Sequence, residues 1–176
     1  MSKLTFTING KKIGPIEIPQ EVMMIEYLHE FRNLTGTKFG CGMGICNACV
    51  IIVENEDGSK EVKRTCINPS SVFNNKKITT IEGHAKKDKN NNIISLNPVQ
   101  EAFIKQFSFQ CGWCTSGFVN EATLLMDKLK TKPINKNDVQ KVIEDNLGEH
   151  ICRCTGYAKY YSGMKKLILE TKGLTF

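Results

Sequence analysis

The 176-residue sequence lacks several features that would place it in common classes of protein. It has no apolar run approaching the roughly 18 residues that a membrane-spanning helix needs. Its first ten residues, MSKLTFTING, contain neither an apolar signal-peptide core nor a twin arginine. It also has no G-x-S-x-G, P-loop or G-x-G-x-x-G motif, so no hydrolytic or nucleotide-binding site is indicated. We therefore expect a cytoplasmic chain that has no catalytic residues of its own.

Aromatic residues are also scarce, at 8% of the sequence, and this bears on the meaning of the net charge of +6. A basic domain can bind nucleic acid, but the lysines here are scattered. The densest basic stretches, HAKKDKNNN and KLKTKP, contain no aromatic residues on which bases could stack. The sequence therefore predicts a solvated lysine-rich surface and no nucleic-acid partner.

Cysteine, in contrast, is abundant, with eight residues in two groups of four. In a reducing compartment these cysteines indicate metal ligands rather than disulfides. The first group consists of Cys41, Cys46, Cys49 and Cys66, and the second of Cys111, Cys114, Cys152 and Cys154.

The residues around the first group have the pattern of a small α+β unit. The alternating stretch LTFTI predicts a strand, and Asn9-Gly10 predicts a hairpin turn into a return strand that is broken at Gly14-Pro15. The stretch VMMIEYLHEF predicts one short helix. A second hairpin is predicted around Asp57-Gly58, and ITTIEG predicts a closing strand.

The second half of the sequence has the pattern of a helical domain. Four stretches carry apolar residues at three- and four-residue intervals, namely VQEAFIKQF, SGFVNEATLLMDKLK, KNDVQKVIEDNLG and YAKYYSGMKKLILETK. Pro98 suits the first turn of the first helix, and Asn137 or Asp138 is expected to cap the third. We therefore predict an α+β unit, an unpatterned polar linker and an all-α four-helix bundle, at residues 1–82, 83–97 and 98–176.

The spacing of the first four cysteines is C-x4-C-x2-C, with the fourth after sixteen more residues. This is the spacing of plant-type [2Fe–2S] ferredoxins. The three glycines of GCGMG permit the tight curvature that turns backbone N–H groups toward cluster sulfur. Zinc ligands usually form two C-x2-C pairs, and only Cys46 and Cys49 fit that pattern, so zinc is disfavoured here.

The second four cysteines read C-x2-C, then 37 residues, then C-x-C, which by itself is compatible with zinc or with a cluster. Both pairs are expected at helix starts, where free N–H groups and the helix dipole favour an anionic group. Zinc bound by four thiolates is also anionic, so this argument does not separate the two metals. The first group favours a second [2Fe–2S] cluster, because two clusters in one chain make an electron relay.

GCGMGICNAC with Cys66, followed by QCGWCTSGF and CRCTGY, resembles the iron–sulfur subunit of the molybdenum hydroxylases, the xanthine dehydrogenase, aldehyde oxidoreductase and carbon monoxide dehydrogenase family. The resemblance covers nearly the whole chain. It implies an N-terminal ferredoxin-like β-grasp domain with an outer [2Fe–2S] cluster and a C-terminal four-helix domain with an inner one. It also implies that electrons pass from molybdopterin on a large partner subunit, through both clusters, to FAD, commonly on a medium subunit.

The resemblance also assigns residues. The outer ligands would be Cys41, Cys46, Cys49 and Cys66, and the inner ligands Cys111, Cys114, Cys152 and Cys154. It further implies that Cys154 touches the pterin and that Gln110 hydrogen-bonds it. Two alternatives stay open: a ferredoxin-like domain fused to a structural zinc-binding helical interaction module, and a free-standing two-cluster ferredoxin.

Four positions depart from the family pattern without removing a ligand. Met43 and Asn47 stand where the family often has glutamate and glycine, and Asn47 is expected to adopt the left-handed backbone conformation that asparagine tolerates. Ser116 stands where the family often has proline, so its helix start is left to hydrogen bonding. His150 lies in GEHICRC, which has one residue more than the commoner GNLCRC, and we expect it to make a local hydrogen bond rather than to bind metal.

Overall fold

A computed structural model describes residues 2–176 and shows a mixed α/β chain. Five strands form one sheet: β1 Ser2–Ile8, β2 Lys11–Ile18, β3 Val50–Glu54, β4 Lys60–Arg64 and β5 Lys77–Thr79. Their order is β2-β1-β5-β3-β4, in which β1 and β5 are parallel and the other neighbours antiparallel. The two predicted hairpins, β1–β2 and β3–β4, are confirmed.

The break predicted at Gly14-Pro15 is wrong, because β2 continues through this dipeptide. The pairing instead shifts by one residue between Leu4 and Phe6 of β1. Gly14 has φ of 103°, and a Cβ there would lie 2.3 Å from the carbonyl oxygen of Leu4. The strand therefore accommodates the irregularity as a bulge, for which glycine is required.

A short helix covers one face of this sheet. Helix α1 spans Met24–Glu26 and continues as a π-helical turn over Tyr27–Phe31. The ring of Tyr27 meets that of Phe6 edge-on, with centroids 5.3 Å apart. The first hydrophobic core consists of these rings and neighbouring side chains of the sheet, with Phe73 from the 3-10 turn Ser70–Phe73.

The segment predicted as an unpatterned linker contains short regular elements. A 3-10 turn at Ile81–Gly83 is followed by an antiparallel pair, β6 Lys86–Lys87 and β7 Ile93–Ser95. Strands of two and three residues are too short to show a period, which is why the sequence pattern does not reveal them.

Four helices follow: α2 Pro98–Lys105, α3 Thr115–Thr131, α4 Val139–Leu147 and α5 Ala158–Glu170. Pro98 is the first residue of α2, as predicted, and Asn97 and Gln100 form a reciprocal capping box there. Asp138 precedes α4 but its side chain makes no capping hydrogen bond. A second hydrophobic core lies among these helices around Phe103, Phe118 and Tyr160. Within residues 2–176, no helix is both long and apolar enough to cross a membrane.

Candidate metal centres

The first four cysteines lie on one loop and at the end of one strand. Cys41, Cys46 and Cys49 belong to the loop between α1 and β3, and Cys66 follows β4 by two residues. The antiparallel pairing of β3 and β4 brings the loop end and Cys66 together, and the N–H of Thr65 donates to the carbonyl of Cys49. The thiols lie near one another in two pairs, since Cys46 is close enough to influence the pKa of Cys41, and Cys49 that of Cys66.

Backbone N–H groups surround the sulfur of Cys41. Those of Met43, Ile45 and Cys46 lie 3.5, 3.3 and 3.5 Å from Cys41 Sγ. Burial raises the pKa of Cys41, but these hydrogen bonds outweigh the effect of burial and lower the pKa to about 6. Since the thiolate is the form that ligates metal, the loop is arranged to hold negative sulfur before any metal binds.

Two of the three loop glycines adopt the backbone conformation that this arrangement requires. Gly42 and Gly44 have φ of 69° and 74°. Gly40 has a different purpose, because a Cβ there would lie 2.8 Å from Cys46 Sγ. Glycine therefore provides curvature at two positions and room for a ligand sulfur at the third.

Asn47, between two of the cysteines, has the left-handed conformation that we expected, with φ of 56°. Its buried side chain accepts a hydrogen bond from Nε of Arg64 at 2.6 Å. Its backbone meets the second half of the chain, since a Cβ on Gly117 would lie 2.1 Å from the carbonyl oxygen of Asn47. Met43 is exposed, and nothing in the structure explains its replacement of glutamate.

The second four cysteines lie at two helix starts, as predicted. Cys111 and Cys114 precede α3, with Cys114 as its N-cap residue, and Cys152 and Cys154 lie in the turn before α5. Cys111 Sγ and Cys154 Sγ are 3.5 Å apart, and both residues are exposed. Cys114 and Cys152 are both buried, and their thiols lie close enough to influence each other's pKa.

Hydroxyl groups flank the buried pair. Burial raises the pKa of Cys114 to about 12, and Tyr160 Oη lies 3.5 Å from its sulfur. Burial also raises the pKa of Cys152, but the hydroxyl and backbone N–H of Thr155 outweigh this effect and lower the pKa to about 7. The ring of Phe118 stacks on that of Tyr160, with the ring centroids 3.9 Å apart, and shields this side of the site from water.

Ser116 and His150, two of the departures from the family pattern, each make a specific contact. Ser116 Oγ donates to the carbonyl of Ala48 at 3.1 Å, a bond that proline could not make. The buried imidazole of His150 pairs through Nε2 with Glu121 Oε2 at 2.8 Å and stacks on Phe118. The local hydrogen bond expected for His150 is therefore present.

Gln110 lies next to the exposed pair of the second group. Gln110 is exposed and directly precedes Cys111 in the chain, so Gln110, Cys111 and Cys154 share one accessible surface. Three other contributors to the two sites, Arg64, Thr155 and Tyr160, were missed by sequence reasoning. Thr155 alone carried a signal, because it directly follows the last cysteine in CRCTGY.

The donor set fits binuclear centres. Within residues 2–176, no three His, Cys, Asp or Glu side chains converge on the position of a single metal ion. The thiols instead come together as two pairs in each group, and a [2Fe–2S] cluster takes four thiolates. Two thiolates for each iron would match this pairing.

Comparison with known families divides the chain in a similar way. Residues 6–69 match a family model described as a 2Fe-2S iron-sulfur cluster binding domain. Residues 80–165 match a second one, described as a [2Fe-2S] binding domain. Each matched range contains one group of four cysteines.

Similar proteins include chains of very different length. Isoquinoline 1-oxidoreductase subunit alpha of Brevundimonas diminuta is 33% identical over 156 residues, which cover 89% of this chain and 91% of that subunit. Aldehyde oxidase 1 of Rattus norvegicus is 36% identical over 160 residues, 88% of this chain but only 11% of that protein. In the crystal structure of quinoline 2-oxidoreductase from Pseudomonas putida 86, one chain matches with a TM-score of 0.72 and 28% identity, over 93% of this chain and 92% of that one.

Proposed function

The chain belongs to the iron–sulfur subunits of the molybdenum hydroxylase family, and we propose that it relays single electrons from a molybdenum-bearing partner to a further acceptor. A [2Fe–2S] cluster, when bound, takes up and releases one electron at a time. The observation that carries the proposal is the presence, in one chain, of two groups of four cysteines whose thiols meet in pairs.

We propose a set of cluster ligands that the pairing of the thiols supports. The outer cluster would be held by Cys41, Cys46, Cys49 and Cys66, and the inner cluster by Cys111, Cys114, Cys152 and Cys154. Support comes from the distribution of N–H and hydroxyl donors, which point at sulfur in both places. Hydrogen bonds to ligand sulfur stabilise the negative charge of such centres and tune their reduction potential.

The residues around each group would also control access. Around the inner group, the rings of Phe118 and Tyr160 exclude water from Cys114 and Cys152. Cys111 and Cys154 stay open to a partner. We infer that Gln110 and Cys154 contact the molybdopterin cofactor of a large partner subunit, since both lie on the accessible surface.

The outer cysteine group would face the electron acceptor. The loop of the outer group exposes the apolar side chains of Phe39, Met43 and Ile45. Exposed apolar side chains gathered in one place are typical of a protein interface. We infer that this loop docks on a medium FAD-binding subunit.

The proposal also fixes a domain division. We infer a ferredoxin-like β-grasp domain at residues 1–82, a linker at 83–97 and a four-helix bundle at 98–176. Support comes from the two hydrophobic cores, one built from residues of the sheet and α1, the other from residues of the four helices. We further propose that the complex works in the cytoplasm, where thiols stay reduced until a cluster is inserted.

Reductive titration of the purified native protein tests the relay. We expect each chain to take up about two electrons, with two distinguishable EPR signals, one for each cluster. Uptake of about one electron with a single signal would contradict the proposal and favour a zinc-bound helical half. The native particle is expected to be much larger than 19.8 kDa, and a particle of that mass alone would favour a free-standing ferredoxin.

A further inference from the structure

The loops that carry the two cysteine groups contact each other directly. The backbone N–H of Ile151 donates to the carbonyl of Cys46 at 3.2 Å, and Ile151 directly precedes Cys152. A single hydrogen bond therefore joins the backbone of one proposed ligand to the residue before another. The relative position of the two groups depends on what holds these loops together.

One side chain bridges the same two loops. Arg64, the last residue of β4, donates through Nε to Asn47 Oδ1 at 2.6 Å and through Nη2 to Glu149 Oε2 at 2.5 Å. Asn47 lies between two proposed outer ligands, and Glu149 lies three residues before the first inner ligand of its segment. We call these three side chains, Asn47, Arg64 and Glu149, the clasp.

The chemistry of arginine suits this bridging role. The guanidinium is planar and holds its donors in a fixed geometry, so one group can position two acceptors at once. Lysine in its place would keep the charge but lose that fixed geometry. The two bonds therefore set both the distance and the direction between the outer loop and the inner segment.

The two bonds differ in importance. The side chain of Glu149 is 74% exposed, and an exposed ion pair contributes little by itself. Asn47 is 3% exposed, so loss of Arg64 would remove the partner of a buried acceptor. Asn47 also contacts α3 through its carbonyl, against which Gly117 packs. The main effect of Arg64 should therefore pass through Asn47.

Building on the function proposed above, we propose that Arg64 is a positioning residue that fixes the separation of the two clusters by tying the outer loop to the inner segment through Asn47 and Glu149. It touches no substrate, and it acts through the backbone that carries the ligands. The clasp joins residues far apart in the sequence, from the strand region and from the helical region, and so binds two parts of the chain that each hold a separate core.

The test compares Arg64→Ala, Arg64→Lys and Glu149→Gln with the parent, all loaded with iron and sulfide. The matched control is Glu54→Gln, which makes the same chemical change in the Lys77–Glu54 ion pair, 2.6 Å long and between β3 and β5. The first measurement is the magnetic interaction between the two reduced clusters in EPR spectra, which falls steeply with their separation. The second is hydrogen exchange at the amide of Ile151, which reports local opening.

We expect Arg64→Ala to change the magnetic interaction and to raise the exchange rate at Ile151 by about tenfold, the scale of an unmet buried hydrogen bond. Arg64→Lys should restore part of both. Glu149→Gln should raise the exchange rate by about twofold, the scale of an exposed ion pair. Glu54→Gln should leave both measurements at the parental value.

The proposal would be overturned if a fully loaded Arg64→Ala protein kept the parental magnetic interaction between its clusters and the parental exchange rate at Ile151. If the Arg64→Ala protein loses a cluster, the Glu149→Gln protein provides the deciding test. A parental exchange rate at Ile151 in the Glu149→Gln protein would then overturn the proposal. Iron and sulfide analysis of the parent separates this result from failure of the proposed function. A parent without two clusters contradicts that function, whereas a fully loaded parent whose variants are unchanged contradicts the clasp alone.

Discussion

The two cysteine groups bring four thiols together by opposite means. The first uses one glycine-rich loop together with the end of β4, and three backbone N–H groups of the loop surround the sulfur of Cys41. The second uses the starts of two helices, α3 and α5, and takes polar contacts from the hydroxyl of Tyr160 and from both the hydroxyl and the N–H of Thr155. Three of the four cysteines of the first group are therefore close together in the sequence, whereas the second group depends on how two helices pack.

The electrostatics of the two groups differ accordingly. Backbone hydrogen bonds lower the pKa of Cys41 to about 6, although burial opposes them. Burial dominates at Cys114 and raises its pKa to about 12, while Thr155 lowers that of Cys152 to about 7. Each group also holds a thiol whose pKa is raised by burial, that of Cys66 to about 11 in the outer group and that of Cys114 to about 12 in the inner one. The groups differ in how the pKa of another thiol is lowered, because Cys41 receives three backbone N–H groups whereas Cys152 receives the hydroxyl and the N–H of Thr155.

The largest expected effect is the loss of one centre without the other. Cys154→Ser should remove the inner cluster and leave about two iron atoms per chain in place of about four. The EPR signal of the outer cluster should persist. Cys41→Ser is the matched variant and should give the reverse pattern.

If Cys154→Ser abolished both signals together, the two groups would not be independent centres. The comparison between the two groups would then fail, because each centre would need the other centre in order to form.

Substitution of Gly117 should have the next largest effect, since this residue brings α3 against the outer loop. A Cβ at this position would lie 2.1 Å from the carbonyl oxygen of Asn47, and backbone cannot yield as a side chain can. Gly117→Ala should therefore destabilise the loaded chain by about 2 kcal/mol in urea unfolding. Gly163→Ala, where the nearest atom is 3.3 Å from the new Cβ, is the control and should change stability by less than about 1 kcal/mol.

Equal effects of these two glycine substitutions would mean that the contact between α3 and the loop is loose. The separation of the two groups would then not be held by close backbone packing.

A smaller effect is expected from glycine substitution in the outer loop. Gly44→Ala puts a side chain on a residue with φ of 74°, at a cost of about 1–2 kcal/mol. Gly58→Ala makes the same change at φ of 82° in the β3–β4 turn, where a Cβ has nothing within 4 Å. Both should lower stability, but only Gly44→Ala should reduce occupancy of the outer cluster, measured by iron content.

If Gly58→Ala also reduced the iron content, general instability rather than the shape of the loop would explain the loss. The outer group would then not depend on local curvature as the comparison requires.

The smallest effect concerns pH and His84, a residue near the contact between the two cores. Its Nε2 pairs with Asn120 Oδ1 at 2.6 Å, and the amide of Asn120 donates to the carbonyl of Val50. Burial lowers the pKa of His84 below its ordinary value of 6.5, so the folded chain binds the proton less readily than the unfolded chain. This residue's contribution to stability is therefore complete above pH 6.5 and is lost as the pH falls through the lowered value.

Urea unfolding at a series of pH values from 7.5 downward would show this loss. In His84→Gln, the share of the loss due to this residue should disappear. An identical pH dependence in parent and variant would contradict the assignment, because His84 would then have no altered pKa in the folded chain.

The predictable parts of the fold are those with a period or a turn signal. Both hairpins followed from Asn9-Gly10 and Asp57-Gly58, and the four helices lie where their apolar spacing placed them. The strand through Gly14-Pro15 was missed because a bulge depends on the neighbouring strand. The short pair β6–β7 was missed because so few residues carry no period.

The candidate sites show the same limit. Cysteine spacing indicated a cluster for the first group but left zinc open for the second, and the expectations for Asn47 and His150 agree with the structure. The sequence did not show that Arg64 joins Asn47 to Glu149, since a contact across 85 residues leaves no local pattern. Ser116 was recognised as a departure, but its bond to Ala48 required the folded chain.

Elemental analysis of the purified chain tests the central claim most directly, because it counts what the two cysteine groups bind. The account predicts about four iron atoms and about four labile sulfides per chain, with no stoichiometric zinc. About two iron atoms together with one zinc would contradict it, because the helical half would then hold a structural ion and the chain would contain one electron-carrying centre.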